Sequence, residues 1–165
     1  MTITYIYLRH APKEHKNGQS QTGNPQHDSP IMKDSVERCH NIGRILYKNY
    51  GEPNIVIMSP YRRTVQTAEA LMNKAGFNTV KRQIYVDNNI AEFLGNQKGK
   101  IDITSETLKY GTQSENHPPL RTGETVDEFK ERIIDHLEML QILSTENEYN
   151  PENRVIWVIT HGFVI

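Results

Sequence analysis

Four short apolar runs, set apart by segments of helical length, constrain this chain more than any other feature. Residues Ile3 to Leu8 (Ile-Thr-Tyr-Ile-Tyr-Leu), Ile55 to Met58 and Val155 to Ile159 are β-branched, aromatic or otherwise apolar, and Gln83 to Val86 is a weaker run of the same kind. Runs this short read as strands. A strand with one wet face alternates polar with apolar, so near-continuous apolar strands belong to a parallel sheet covered on both faces. The segments between them carry a helical period. Val36, Cys39, Ile42 or Gly43, Leu46 and Tyr50 share one face, opened by Asp34 as a cap and closed by Gly51. Ser59 reads as an N-cap with Pro60 at the first helical position, followed by a face of Val65, Ala68, Met72 and Ala75 that stops at Gly76. Thr125 with Glu128 forms a capping box for a third helix whose face is Val126, Phe129, Ile133, Leu137 and Leu140. This alternation predicts an α/β fold: a three-layer α/β/α sandwich on a mainly parallel sheet with right-handed crossovers.

A length of 165 residues fits one domain, large enough to bury a core without disulfides or a structural metal. The single Cys, Cys39, cannot form an internal disulfide and reads as a small core residue, which fits a reducing compartment. Nineteen Lys and Arg against 20 Asp and Glu give a net charge of -1. That balance excludes the basic footprint of a nucleic-acid or anionic-membrane binder. No apolar run approaches the roughly 18 residues of a membrane span, and the first residues lack a signal peptide's basic start, so a cytoplasmic protein is expected. Residues 13–31 read as a long polar loop. Residues 87–122 are polar and Gly/Pro-punctuated, with a short helix near Ser105 to Tyr110. Their later part, 93–122, is expected to be a substrate-facing insertion, with Lys98, Lys100, Lys109 and Arg121 either contacting substrate or solvated.

In an open α/β sheet, ligands bind beyond the carboxyl ends of the strands. Three of the expected strands end in basic residues: Arg9-His10, then Arg62-Arg63 just after Ser59-Pro60, then His161. A parallel sheet brings these ends to one edge, where guanidinium and imidazole groups together make an anion site suited to phosphate. Arg62 and Arg63 fall in the first turn of a helix, where the macrodipole disfavours cations by roughly 0.3–1 kcal/mol. Their presence makes sense if an anion sits between them and the helix N–H groups, although Arg62 could equally lie in solvent. His15, His27, His40, His117 and His136 match no metal-ligand spacing; His40 and His136 read as surface or boundary residues. No metal and no cofactor is expected.

These residues resemble the histidine phosphatase superfamily, the phosphoglycerate mutase-like fold. Its Arg-His-Gly block corresponds to Arg9-His10-Ala11. Its Ser, Arg and Gln-Thr-Ala block corresponds to Ser59, Arg63, Gln66, Thr67 and Ala68. A Glu in a short apolar stretch is matched by Ile90-Ala91-Glu92 with Gly95 and Gly99, and a Gly-Glu-Ser-like helix start with a later Arg by Gly123-Glu124-Thr125 and Arg132. The closing His-Gly is His161-Gly162. Together the blocks run from residue 5 to 163.

The resemblance implies a phosphomonoester hydrolase, independent of metal, that works through a phosphohistidine on His10. Arg9, Arg63 and His161, with Arg62 beside them, would hold the phosphoryl oxygens. Glu92 would protonate the leaving oxygen and then assist water, while a backbone carbonyl would fix the tautomer of His10. His15 and Asn17 would meet the substrate, a small phosphorylated metabolite or a phosphoprotein. Two other readings stay open: a phosphoglycerate mutase-type transfer, and a phosphate- or phosphoprotein-binding module without turnover. The sequence departs from the family at Ala11 in place of Gly, at Lys16 where an Asn is common (Asn17 is one step away), and around Glu92, which sits in Ala-Glu-Phe-Leu-Gly. Family members also continue past His-Gly, so residues 1–165 are expected to be one domain lacking its C-terminal helix and strand. Nothing in the sequence selects an oligomeric state.

Overall fold

The strand that enters last lies in the middle. In this computed structural model, which describes residues 2–14, 29–73, 83–93, 123–145, 153–162 and 164, four strands pair: β1 (Thr2–Arg9), β2 (Ile55–Met58), β3 (Gln83–Val86) and β4 (Asn153–Thr160). All pairs are parallel, in the order β1-β4-β2-β3. β4 is buried from Arg154 onward because it has a strand on each side and helices on each face. Three helices complete the described residues: α1 (Lys33–Tyr50), α2 (Arg62–Asn73) and α3 (Val126–Thr145). The steps from β1 to β2 to β3 run in one direction and the step from β3 to β4 turns back. With right-handed crossovers, the forward helices cover one face and the returning helix the other. The packing follows that rule. Cys39, Val65, Ala68 and Leu71 of α1 and α2 join Val56, Met58, Trp157 and Ile159 in one core. Leu140 and Leu143 of α3 pack on Ile55, Ile57, Ile156 and Val158 in the other. The fold is the α/β sandwich on a parallel sheet that the sequence predicts.

Several local features differ from the sequence expectation. β1 is only half-buried, not a covered strand, since among the described residues it pairs on one side alone. α1 begins at Lys33 after Met32, which caps without a side-chain bond, so Asp34 lies inside the first turn, where it complements the dipole rather than capping. On the same helix Ile42 and Tyr50 are exposed and Gly43 is buried. That glycine lets α1 and α2 touch: a Cβ there would lie 2.0 Å from the Leu71 carbonyl oxygen. On α3, Val126 and Leu137 are 55% and 52% exposed, whereas His136 is 1% exposed. The spacing Ile133–His136–Leu140 fits a helix face as well as Ile133–Leu137–Leu140 does, and the sheet receives the polar member. The Thr125/Glu128 capping box is present, with Glu128 N–H donating to Thr125 Oγ1 at 3.2 Å and Thr125 N–H to Glu128 Oε2 at 2.8 Å. The far end of α3 is closed by Arg154, whose buried guanidinium donates to the Leu143 and Ser144 carbonyls at 2.8 and 3.2 Å. Ala75, Gly76 and the short helix expected near 105–110 lie outside the described residues. No helix among the described residues is long and apolar enough to cross a membrane.

Candidate active site

Every strand ends at the same edge, and each end supplies a polar residue there. The backbone ladder runs on past the strands: His10 N–H donates to Thr160 O at 2.9 Å, Ser59 N–H to Ile159 O at 3.0 Å, and Asp87 N–H to Met58 O at 2.9 Å. These bonds fix the origins of His10, Ser59, Asp87 and His161 relative to one another. Side chains from residues as far apart as 10 and 161 therefore meet.

His10 and His161 face each other with ring centroids 5.2 Å apart. His10 Nδ1–H donates to its neighbour's carbonyl, Ala11 O, at 2.7 Å. Since a carbonyl only accepts, the ring proton is on Nδ1 and the lone pair is on Nε2. Burial, then the Arg63 and Arg9 charges, push the His10 pKa down to about 4 despite the opposing Ala11 hydrogen bond and Glu92. The imidazole is thus neutral at physiological pH. The loop carrying it is pinned by α2: Ala11 N–H donates to Thr67 Oγ1 at 2.9 Å, and Gln66 Oε1 accepts from Ile31 N–H at 3.0 Å, beside the bridge between Lys13 and Ile31. The Gln-Thr pair of the sequence block holds the segment that follows His10.

The two arginines at the start of α2 separate. Arg63 is fully buried, and its Nη2 lies 2.5 Å from Glu92 Oε2 and 3.2 Å from His161 Nδ1. Its guanidinium also lies over the Tyr61 ring, 4.2 Å from the centroid. Arg62 is half-buried. α2 has no acidic residue in its first turn, so its positive end meets two cations with no internal compensation. At the end of β1, exposed Arg9 lays its guanidinium against Gly162, where a Cβ would stand 3.2 Å from Arg9 Cζ. His161 is buried, and burial together with the Arg63 charge pushes its pKa far below the usual histidine value. Its Nδ1 accepts from Arg63, so its proton is on Nε2 and donates to Ser59 Oγ at 2.8 Å. Ser59 is therefore engaged with His161 and is not the N-cap expected of it; Thr64 Oγ1 instead donates to Ser59 O at 2.6 Å at this turn.

The structure brings together His10, Arg63, Glu92 and His161, with Arg9 at the rim. His15, Asn17, Lys98, Lys100, Lys109, Arg121 and nearly all of 93–122 lie outside the described residues. Sequence reasoning missed Tyr61, whose ring lies 4.9 Å from that of His161 and under Arg63; its place just before the arginine pair was the available signal. It also missed Asp87 and His136, which pair at 2.7 Å although both are buried. Among the described residues no three His, Cys, Asp or Glu side chains gather as a metal site.

No curated protein sequence matches the chain. Among solved structures, an ecdysone phosphate phosphatase from Bombix mori, crystallised with tungstate, superposes with a TM-score of 0.69 at 17% identity, over 97% of this chain and 73% of its own. A phosphoglycerate mutase from Bacillus anthracis str. Sterne gives 0.64 at 17% identity, over 98% and 76%. A mycobacterial glucosyl-3-phosphoglycerate phosphatase gives 0.61 at 19%, over 98% and 74%. Identities this low carry the fold alone. The sequence profile of the histidine phosphatase superfamily (branch 1) matches residues 5–165, the span that holds the His10 loop, the Arg63 helix and the closing His-Gly, and the chain belongs to that superfamily.

Proposed function

We infer that the protein hydrolyses phosphomonoesters through a phosphohistidine on His10. The single observation that carries this reading is the Nδ1–H···O bond from His10 to Ala11, which leaves a neutral Nε2 lone pair on a ring 5.2 Å from His161 at the arginine-lined edge. In the first half-reaction, Nε2 attacks phosphorus in line as the bond to the leaving oxygen breaks. Arg9 and Arg63, with Arg62 beside them, face the equatorial oxygens, where charge collects, and His161, its Nε2–H held by Ser59, lines the same edge beside Arg63. The Glu92 carboxylate, displaced from Arg63 by those oxygens and one-third exposed, takes up a proton from solvent and gives it to the leaving oxygen. In the second half, Glu92 takes a proton from water as water attacks phosphorus, and His10 leaves neutral. Two guanidinium groups supply the charge that a metal ion supplies in other phosphoryl transfers, so the reaction is expected to run in the presence of EDTA.

The substrate class that fits is a phosphorylated small metabolite or a phosphoprotein, since the site reads a terminal phosphoryl group. Support comes from the superfamily and from neighbours that include two phosphatases, one of them crystallised with the oxyanion tungstate. The test is to incubate the protein with p-nitrophenyl phosphate and a panel of metabolite monoesters, quench in base, and look for acid-labile phosphoprotein. Turnover with trapped phosphate on wild type and none on His10→Ala is the expected result. Equal turnover by the two proteins rules the reading out. Rapid isomerisation of phosphoglycerate primed by a bisphosphate, exceeding hydrolysis, would place the protein with the mutases instead.

A further inference from the structure

The segment that carries Glu92 makes no regular structure of its own. After β3 the chain runs through Asp87, a single 3₁₀ turn at Asn88–Ile90, and Ala91 to Glu92. A carboxyl on so short a strap is useful as a proton donor only if the strap is held, because catalytic geometry tolerates little drift. One helix holds it at several points. Arg132 of α3 donates through Nη1 to Asn89 O and, at 2.9 Å, to Ala91 O, the residue before Glu92. Its remaining edge is taken by Glu124, with Nε to Oε1 at 2.5 Å and Nη2 to Oε2 at 2.8 Å. Phe129, one turn away and stacked on the Arg132 guanidinium at 4.6 Å, meets the ring of Phe93, the residue after Glu92, at 5.1 Å. His136, a further turn along, holds Asp87 at 2.7 Å, and its other nitrogen lies 3.2 Å from Tyr7 Oη. From the opposite side, Thr160 Oγ1 donates to Ile90 O at 2.7 Å. Thr160 immediately precedes His161, so this bond ties the strap to the phosphate end of the site.

We propose that Arg132, locked by Glu124, is a positioning residue for proton transfer: it fixes the main chain on the near side of Glu92 and thereby aims the carboxyl at the leaving oxygen. This rests on the reading of Glu92 given above. Glu124 and two carbonyls occupy four of the five Arg132 N–H donors, and the Phe129 ring covers one face of the guanidinium, so its role is not one of direct substrate binding. Its effect must pass through the strap. The consequence is selective. A leaving group that departs unaided, such as p-nitrophenolate, needs no acid, whereas an alkoxide does. Loss of the clamp should therefore damage turnover of alkyl phosphates and spare aryl phosphates, and it should leave phosphate binding at Arg9, Arg63 and His161 alone.

The experiment compares kcat/KM for p-nitrophenyl phosphate and β-glycerophosphate in wild type, Arg132→Lys, Glu124→Gln and Glu92→Gln, together with inhibition by inorganic phosphate. Arg132→Lys keeps the positive charge and removes the fork. Glu124→Gln keeps the shape and serves if the lysine variant does not fold. Both clamp variants should lose about tenfold more on β-glycerophosphate than on the aryl ester, in the same direction as Glu92→Gln, with phosphate inhibition within about twofold of wild type. Equal losses on both esters in the clamp variants, while Glu92→Gln remains selective, would overturn the proposal and leave the role of Glu92 intact. If Glu92→Gln is itself unselective, the reading of Glu92 fails first, and the proposal with it.

Discussion

Arg63 and Glu92 are joined by a 2.5 Å ion pair in which the arginine is fully buried and the carboxylate one-third exposed. In the resting protein Arg63 is thus already occupied by the group proposed as proton donor. On the proposed mechanism an incoming phosphoryl oxygen replaces the carboxylate on the guanidinium and leaves that carboxylate beside the leaving oxygen.

Glu92→Gln should separate binding from turnover because of that pair. The amide still accepts a hydrogen bond but no longer neutralises Arg63 or repels an approaching dianion. Inorganic phosphate or vanadate should inhibit several-fold more tightly than in wild type, while kcat falls by about 10²–10⁴, the usual contribution of a general acid. Weaker phosphate inhibition would mean that Glu92 helps to build the anion site and does not compete for it.

The pH dependence of stability follows from the two histidines. Burial first, and the arginines next, depress both pKa values in the folded protein, that of His10 from 6.5 to about 4. The unfolded chain therefore binds more protons than the folded one between these values, and the slope of stability with pH is positive there. Stability is complete above the unfolded value near 6.5 and is lost progressively as pH falls toward the folded value of about 4. Thermal melts across that window should fall, and His10→Asn should flatten part of the decline. Proton NMR should show the His10 ring untitrated near pH 6.5; a midpoint there would contradict the buried, neutral nucleophile.

Contact between α1 and α2 rests on Gly43. A methyl group there would sit 2.0 Å from the Leu71 carbonyl oxygen, a backbone atom that cannot turn aside. Overpacking of a core usually costs about 1–3 kcal/mol, and a clash with backbone belongs at the upper end. Gly43→Ala is expected to lower the melting temperature by several degrees with unchanged m-value behaviour. Because α2 carries Arg63, Gln66 and Thr67, kcat/KM should fall as well. A variant as stable as wild type would show that the helices part at little cost.

Much of the frame is legible in the sequence because it depends on local rules. Wholly apolar Ile55–Met58 could only be a covered strand, and the Thr125/Glu128 box marks its own helix start. The meeting of His10, Arg63 and His161 is legible once the strands are taken as parallel, since each residue follows a strand end. What escaped was decided by tertiary competition. Ser59 has ideal N-cap chemistry, yet the His161 Nε2–H is the more demanding partner, being buried. His136 reads in sequence as a surface or boundary residue of a helix, but Asp87 at the end of β3 compensates it in the interior, and no local signal in α3 announces a partner 49 residues away. The Arg132 clamp was visible only as a motif match; which carbonyls it holds depends on how the 3₁₀ turn is folded.

Ser59 offers the most direct test of the His161 side of the site. A guanidinium can only donate, so the 3.2 Å contact from Arg63 Nη2 makes His161 Nδ1 an acceptor and places the ring proton on Nε2, 2.8 Å from Ser59 Oγ. Removing that hydroxyl strands a buried N–H, at a cost of about 1–3 kcal/mol. It also removes what keeps the ring from rotating or exchanging tautomers. Ser59→Ala should weaken inhibition by inorganic phosphate about tenfold, by misaligning His161, while the chemistry at His10 persists at saturating substrate. Nitrogen NMR of labelled histidine should report a pure Nε2–H tautomer for His161 in wild type and a mixture in Ser59→Ala. If the variant keeps both the tautomer and the phosphate affinity, the Arg63 contact alone orients the imidazole and the serine merely fills space.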